Sequence, residues 1–140
     1  MLKKRYLTIF LFPVFLFSFN QKISGQVSDS VFDKVEQLPE YPKGEETLSD
    51  FIAKNLIYPY QAFVEGIQGV VAVQFVVEKD GSISNIEISR SVHPELDKEA
   101  LRVVGLMPKW TPGKQKNENV RVRMNLPFNF GIKPPPDEEK

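Results

Sequence analysis

Residues 67–89 read IQGVVAVQFVVEKDGSISNIEIS, and the alternation within them decides the fold. Val71, Val73, Phe75 and Val77 recur at every second position, the run breaks at Asp80-Gly81, and Ile83, Ile86 and Ile88 follow on the return. A period of two interrupted by a turn dipeptide predicts an antiparallel β-hairpin. A two-residue Asp-Gly loop sets Lys79 opposite Ser82, and therefore Phe75 opposite Ile86 and Val73 opposite Ile88. The large apolar side chains then gather on one face, while Gln74, Glu78, Asn85 and Glu87 take the other. One face is expected to be core and the other at least partly wet.

Outward from the hairpin the period changes. Leu48, Phe51, Ile52 and Leu56 fall at helical spacing between Glu45 and Leu56, which predicts an amphipathic helix. Pro59 opens a short second helical segment with Ala62 and Phe63, and Gly66 closes it. After Ser91, Pro94 stands at a first helical position, and Glu95 and Asp97 lie where the positive end of the helix dipole favours them. Leu96, Ala100, Val103, Val104 and Met107 form that helix's apolar stripe. Pro108, Pro112 and Gly113 then enforce a loop around Trp110.

A third strand closes the pattern. From Asn119 to Phe130, Val120, Val122, Met124, Leu126, Phe128 and Phe130 alternate with Arg121, Arg123, Asn125, Pro127 and Asn129. Pro127 has no backbone donor, so this strand is expected at an edge. The elements together predict an α+β fold, a three-stranded antiparallel sheet packed on two main helices.

The 140-residue chain divides into a leader, an arm, one domain and a tail. Residues 1–25 carry Lys3, Lys4 and Arg5, the apolar run Leu7 to Phe19 interrupted by Pro13, and a polar stretch ending in small residues. They read as a signal peptide, with a short membrane anchor as the alternative, because spanning takes about 20 apolar residues. Residues 26–44 show no sustained period and read as a linker or wrapping arm, residues 45–132 as the domain, and residues 133–140 as a disordered tail. Loss of the leader removes four of 18 basic residues and no acidic ones, leaving 14 against 18. A mildly acidic domain without a basic cluster offers no footprint for nucleic acid.

Catalytic chemistry finds little to work with. There is no cysteine and a single histidine, and His93, before a helix start, reads as a cap rather than a general base. Glu95, Asp97 and Glu99 read as solvated helix charges rather than metal ligands. Trp110 fits core closure better than a pocket wall, and packing is the simpler reading of Tyr41, Tyr58 and Tyr60. No catalytic residue, metal site or cofactor is expected, and the chain is not expected to be an enzyme. The exposed edge remains: its unpaired backbone groups are either blunted, here by Arg121, Arg123 and Pro127, or used to accept another strand.

The order of YP, IQG, VAVQFVVEKDGSISNIEI, VHPELDKEAL, MPKWTPGKQ and VRVRMNLPFNF resembles the C-terminal domain of TonB, the energy transducer of bacterial outer-membrane transport. The resemblance spans roughly Leu38 to Ile132. It implies a periplasmic domain that binds the TonB box of outer-membrane TonB-dependent receptors by β-strand addition, serving uptake of siderophores, vitamins or glycans. Carried onto this chain, it places the receptor peptide along Asn119, Val120, Arg121, Val122, Arg123, Met124, Asn125 and Leu126, with Asn55, Leu56 and Ile57 as a second contact. At that second contact, Asn-Leu-Ile stands where the family often has a glutamine-containing stretch. The resemblance also implies ExbB and ExbD motor proteins as partners where the leader is retained as an inner-membrane anchor. The alternative is a structural or interaction module of the cell envelope built on the same fold. The family's long proline-rich spacer is missing, since residues 26–44 reach at most about 65 Å when extended. A cleaved leader would then leave an accessory domain with no covalent path to a motor.

Overall fold

A computed structural model describes residues 29–132. The leader and the tail lie outside the described residues. In chain order the elements are β1 (Val31–Phe32), α1 (Leu48–Asn55), α2 (Tyr60–Val64), β2 (Gly69–Val77), β3 (Ile83–Arg90), α3 (Pro94–Gly105), β4 (Gly113–Gln115) and β5 (Glu118–Phe130).

Two helices, α1 and α3, begin where a side chain supplies an acceptor for otherwise unpaired amides. Thr47 caps α1 in a capping box with Asp50, each side chain accepting from the other residue's backbone N–H. His93 caps α3 by accepting the Glu95 N–H on Nδ1 at 3.2 Å, with Pro94 at the first helical position. Pro59 is the N-cap of α2 rather than its first residue, and Gly66, at φ +67°, follows the helix in the left-handed conformation.

The sheet order is β1-β5-β2-β3, with β4 also paired to β5. β2 is central. It runs antiparallel to β5 without a register shift, from Gly69 opposite Phe130 to Val77 opposite Val122. The three-stranded sheet of the sequence is therefore present as β2, β3 and β5, and two short strands extend it to five. The three helices supply the apolar residues that face it: Phe51 from α1, Ala62 from α2, and Leu96, Ala100, Val103 and Val104 from α3 pack with Val71, Val73, Phe75, Val77, Phe128 and Phe130 in one core. Trp110 joins this core, its ring edge-on to Phe75 at 5.5 Å and to Tyr41 at 5.8 Å.

The hairpin turn differs from the two-residue expectation. Glu78, not Lys79, faces Ser82: its N–H donates to the Ser82 carbonyl at 2.8 Å, and the Gly81 N–H donates back to Glu78 at 2.9 Å. The loop thus has three residues, with Gly81 in the left-handed position at φ +87°, the three-residue hairpin geometry. This register sets Ile83 opposite the buried Val77, but carried on unchanged it would turn Ile86 and Ile88 to the wrong face. Asn85, at φ +47°, corrects it: the register shifts between Gln74 and Val76, and beyond that bulge Val73 faces Ile88 as the alternation predicts. Phe75 sits at the bulge itself, within the shift rather than squarely paired with Ile86.

The edge position of β5 also needs correction over part of its length. Lys116 and Asn117, at φ +49° and +61°, make a two-residue turn that folds β4 onto the start of β5, pairing Gln115 with Glu118 and Gly113 with Val120. On the side away from β2, β1 pairs in parallel with β5, Val31 opposite Arg121 and Phe32 opposite Val122.

Candidate functional site, the outer edge of β5

The eight residues assigned to a partner strand divide into three groups. Asn119 and Val120 lie opposite Lys114 and Gly113 of β4. Arg121 and Val122 lie opposite the arm. Arg123, Met124, Asn125 and Leu126 pair with β2 on one side, and among the described residues no strand covers their other side. The same is true from Pro127 to the end of β5.

Pro127 defines which backbone groups that open side presents. The β2–β5 ladder passes through Pro127 opposite Ala72 without a shift, which places the missing N–H on the side away from β2. By alternation, the amides of Arg121, Arg123, Asn125 and Asn129 point the same way. Side chains alternate across the faces too. Val122, Phe128 and Phe130 are buried, Met124 and Leu126 pack against the core from partly buried positions, and Arg123, Asn125 and Asn129 are exposed.

The polar face carries a fixed charge arrangement. Arg121 meets Glu78 with both prongs of its guanidinium, Nε to Oε2 at 2.7 Å and Nη2 to Oε1 at 3.1 Å. Ser84 Oγ donates to the same carboxylate at 2.5 Å. These hydrogen bonds, first from Arg121 and then from Ser84, hold the Glu78 pKa below its ordinary value against the opposing effect of burial. The remaining Arg121 nitrogen turns to the arm, donating to the Asp29 carbonyl at 2.7 Å, with the Asp29 carboxylate 3.7 Å away. Arg123 pairs with Asp33. Asn125 accepts from Ser89 Oγ at 2.7 Å.

Asn55, Leu56 and Ile57 occupy the end of α1 and the loop after it. The Asn55 carbonyl accepts from Arg102 at 2.7 Å, and the Ile57 N–H donates to Glu99 at 2.8 Å. Glu99 feels burial most, but the hydrogen bonds from Arg102 and Ile57 outweigh it and lower its pKa. This segment is thus tied to α3, and among the described residues no hydrogen bond or ion pair joins it to residues 119–126. Tyr58 reaches β5 only at its far end, edge-on to Phe130 at 5.7 Å.

The sequence of these elements, with a profile match over residues 54–132 to the family described as Gram-negative bacterial TonB protein C-terminal, decides the relationship. The chain belongs to the TonB C-terminal family. Solved structures similar to it include the TonB C-terminal domain of Pseudomonas aeruginosa, at 21% identity and a TM-score of 0.48, covering 76% of this chain and 96% of that one. Two lengths of the Helicobacter pylori TonB C-terminal domain are also similar. One has 23% identity, a TM-score of 0.43 and coverage of 61% and 78% of the two chains. The other has 24% identity, a TM-score of 0.39 and coverage of 59% and 88%. No curated protein matches the chain. TonB C-terminal domains are non-enzymatic periplasmic domains involved in energy transduction to outer-membrane receptors.

Sequence reasoning missed β1 and β4 as strands. The Lys116-Asn117 pair was a usable signal for β4, because asparagine tolerates positive φ. Nothing local announces β1.

Proposed function

We propose that this TonB C-terminal domain binds an extended receptor peptide, the TonB box, by strand addition along the outer edge of β5, coupling to or assisting energised uptake of siderophores, vitamins or glycans. The observation that carries the reading is an edge flanked by core on one face and polar groups on the other, with outward amides at Arg123, Asn125 and Asn129 and no covering strand among the described residues. Main-chain pairing supplies affinity on such an edge, and side chains at alternate positions supply selectivity. The reading includes export through residues 1–25, with ExbB/ExbD-type motors as partners only for an anchored form. The arrangement of Asn55–Ile57 on α3 supports a role for that segment in shaping α3 rather than in direct pairing with the peptide.

The test is an NMR titration with a synthetic TonB-box peptide from an outer-membrane receptor of the same cells. Amides from Arg121 to Asn129 should shift more than those of β3. Arg123→Pro, which removes an outward donor, should abolish binding while leaving the Trp110 environment intact. Shifts concentrated at Ser84–Ser89 would assign the peptide to the β3 edge instead.

A further inference from the structure

The chain carries its own strand on the edge that the preceding reading gives to a partner. Val31 and Phe32 lie in parallel beside Arg121 and Val122, and an acid stands at each end of this short strand. Asp29 meets Arg121, and Asp33 meets Arg123. Arg121 is held in place from behind by Glu78, whose carboxylate also accepts from Ser84, so its charge is already aimed at the arm. The arm is also tethered. Glu36 clasps the β4–β5 turn, its N–H donating to Gln115 at 3.0 Å and its carboxylate accepting the Lys116 N–H at 3.2 Å. Gln37 and Lys114 exchange backbone hydrogen bonds, as do Glu40 and Thr111.

We propose that residues Asp29–Asp33 are an internal competitor for the β5 edge, a tethered strand that a receptor peptide must displace before it can pair with Arg121 to Arg123. The inference rests on the reading of β5 as the peptide-binding edge. Two properties suit the arm to this role. A tether makes its rebinding intramolecular, at an effective concentration in the millimolar range. Its hold is nonetheless weak, because the strand is two residues long and the Asp29 and Asp33 side chains are 93% and 69% exposed, where ion pairs contribute little and are screened by salt. A plug of this kind lowers affinity for short or poorly matched peptides and yields to one that also pairs along the open part of the edge.

The experiment uses the full chain in three forms: wild type, Asp29→Asn with Asp33→Asn, and Phe32→Pro. Two probes are added separately, the receptor TonB-box peptide and a synthetic DSVFDKV peptide copying residues 29–35. Weakening the arm should speed hydrogen exchange at the Arg121 and Arg123 amides. It should also tighten the receptor peptide about three- to tenfold, the range two exposed ion pairs supply. Equal affinity across all three forms would overturn the competitor role. If the receptor peptide binds none of them, the parent reading fails, and DSVFDKV decides the arm by itself. Shifts at Arg121–Arg123 in the Phe32→Pro form but not in wild type would uphold a displaceable plug, and no shifts in either would remove it.

Discussion

Gly81 shows how one residue can serve two constraints. It adopts φ +87° to close the three-residue turn, and a Cβ there would stand 2.0 Å from the Trp110 carbonyl oxygen. The approach is close because the Trp110 N–H donates to the Gly81 carbonyl at 2.8 Å, docking the loop after α3 onto the hairpin. Gly81→Ala combines left-handed strain with a backbone clash and should cost about 2–4 kcal/mol, measured by urea denaturation and accompanied by a change in Trp110 fluorescence. Phe75 is fully buried against Trp110, and Phe75→Ala should cost about 3–5 kcal/mol in the same assay. The Glu78–Arg121 pair predicts a pH dependence. Its lowered carboxylate pKa means that the contribution to stability is fully present above the ordinary value of 4.5 and is lost as pH falls through the depressed folded value. Glu78→Gln should therefore be less stable than wild type at neutral pH, with the gap closing in acid. A gap independent of pH would show that the carboxylate's ionisation is not the source.

The behaviour of β5 comes from neighbours as much as from its own residues. Its alternation is regular along the whole strand, yet its outer side is paired with β1 at Arg121 and Val122 and open from Arg123 onward. The β4–β5 turn is tuned imperfectly for its geometry: both central residues have positive φ, and Lys116 pays a steric cost that glycine or asparagine would avoid. Replacing Lys116-Asn117 with Asn-Gly should stabilise the domain by roughly 0.5–1 kcal/mol, raising the thermal midpoint without altering the core. β3, at the opposite side of the sheet, is also an edge among the described residues, but the register shifts near Asn85 and between Ala72 and Val73 interrupt its ladder. Such bulges twist an edge and make it a poorer template for added strands, which supports β5 over β3 as the pairing edge.

Across the molecule, stability is expected to be uneven. β2 is paired on both sides and lines the core, whereas the arm is held by exposed ion pairs and a few backbone bonds. Local opening should start with β1 and leave β2 closed. Raising the salt concentration should speed hydrogen exchange at Arg121 and Arg123 before it affects Val73 or Phe75, since screening acts on the exposed pairs and leaves apolar burial in place. Loss of protection at both sites together would mean that the arm and core open as one unit.

The local pattern by itself determined the hairpin, the three helical segments, the His93 cap and most of the core. Each of these rests on a short-range period or a cap within a few residues. The order of motifs likewise carried the resemblance to TonB C-terminal domains. Tertiary structure decided the rest. A turn containing Asp-Gly places glycine in the left-handed position for a two- or a three-residue loop alike, and the choice is made here in company with the Trp110 hydrogen bond and the compensating bulge at Asn85. The state of the β5 edge was equally out of reach. The partner of Arg121 lies about ninety residues upstream, in a two-residue strand too short to show any period, so its pairing exists only once the chain has folded and the two arginines stand side by side.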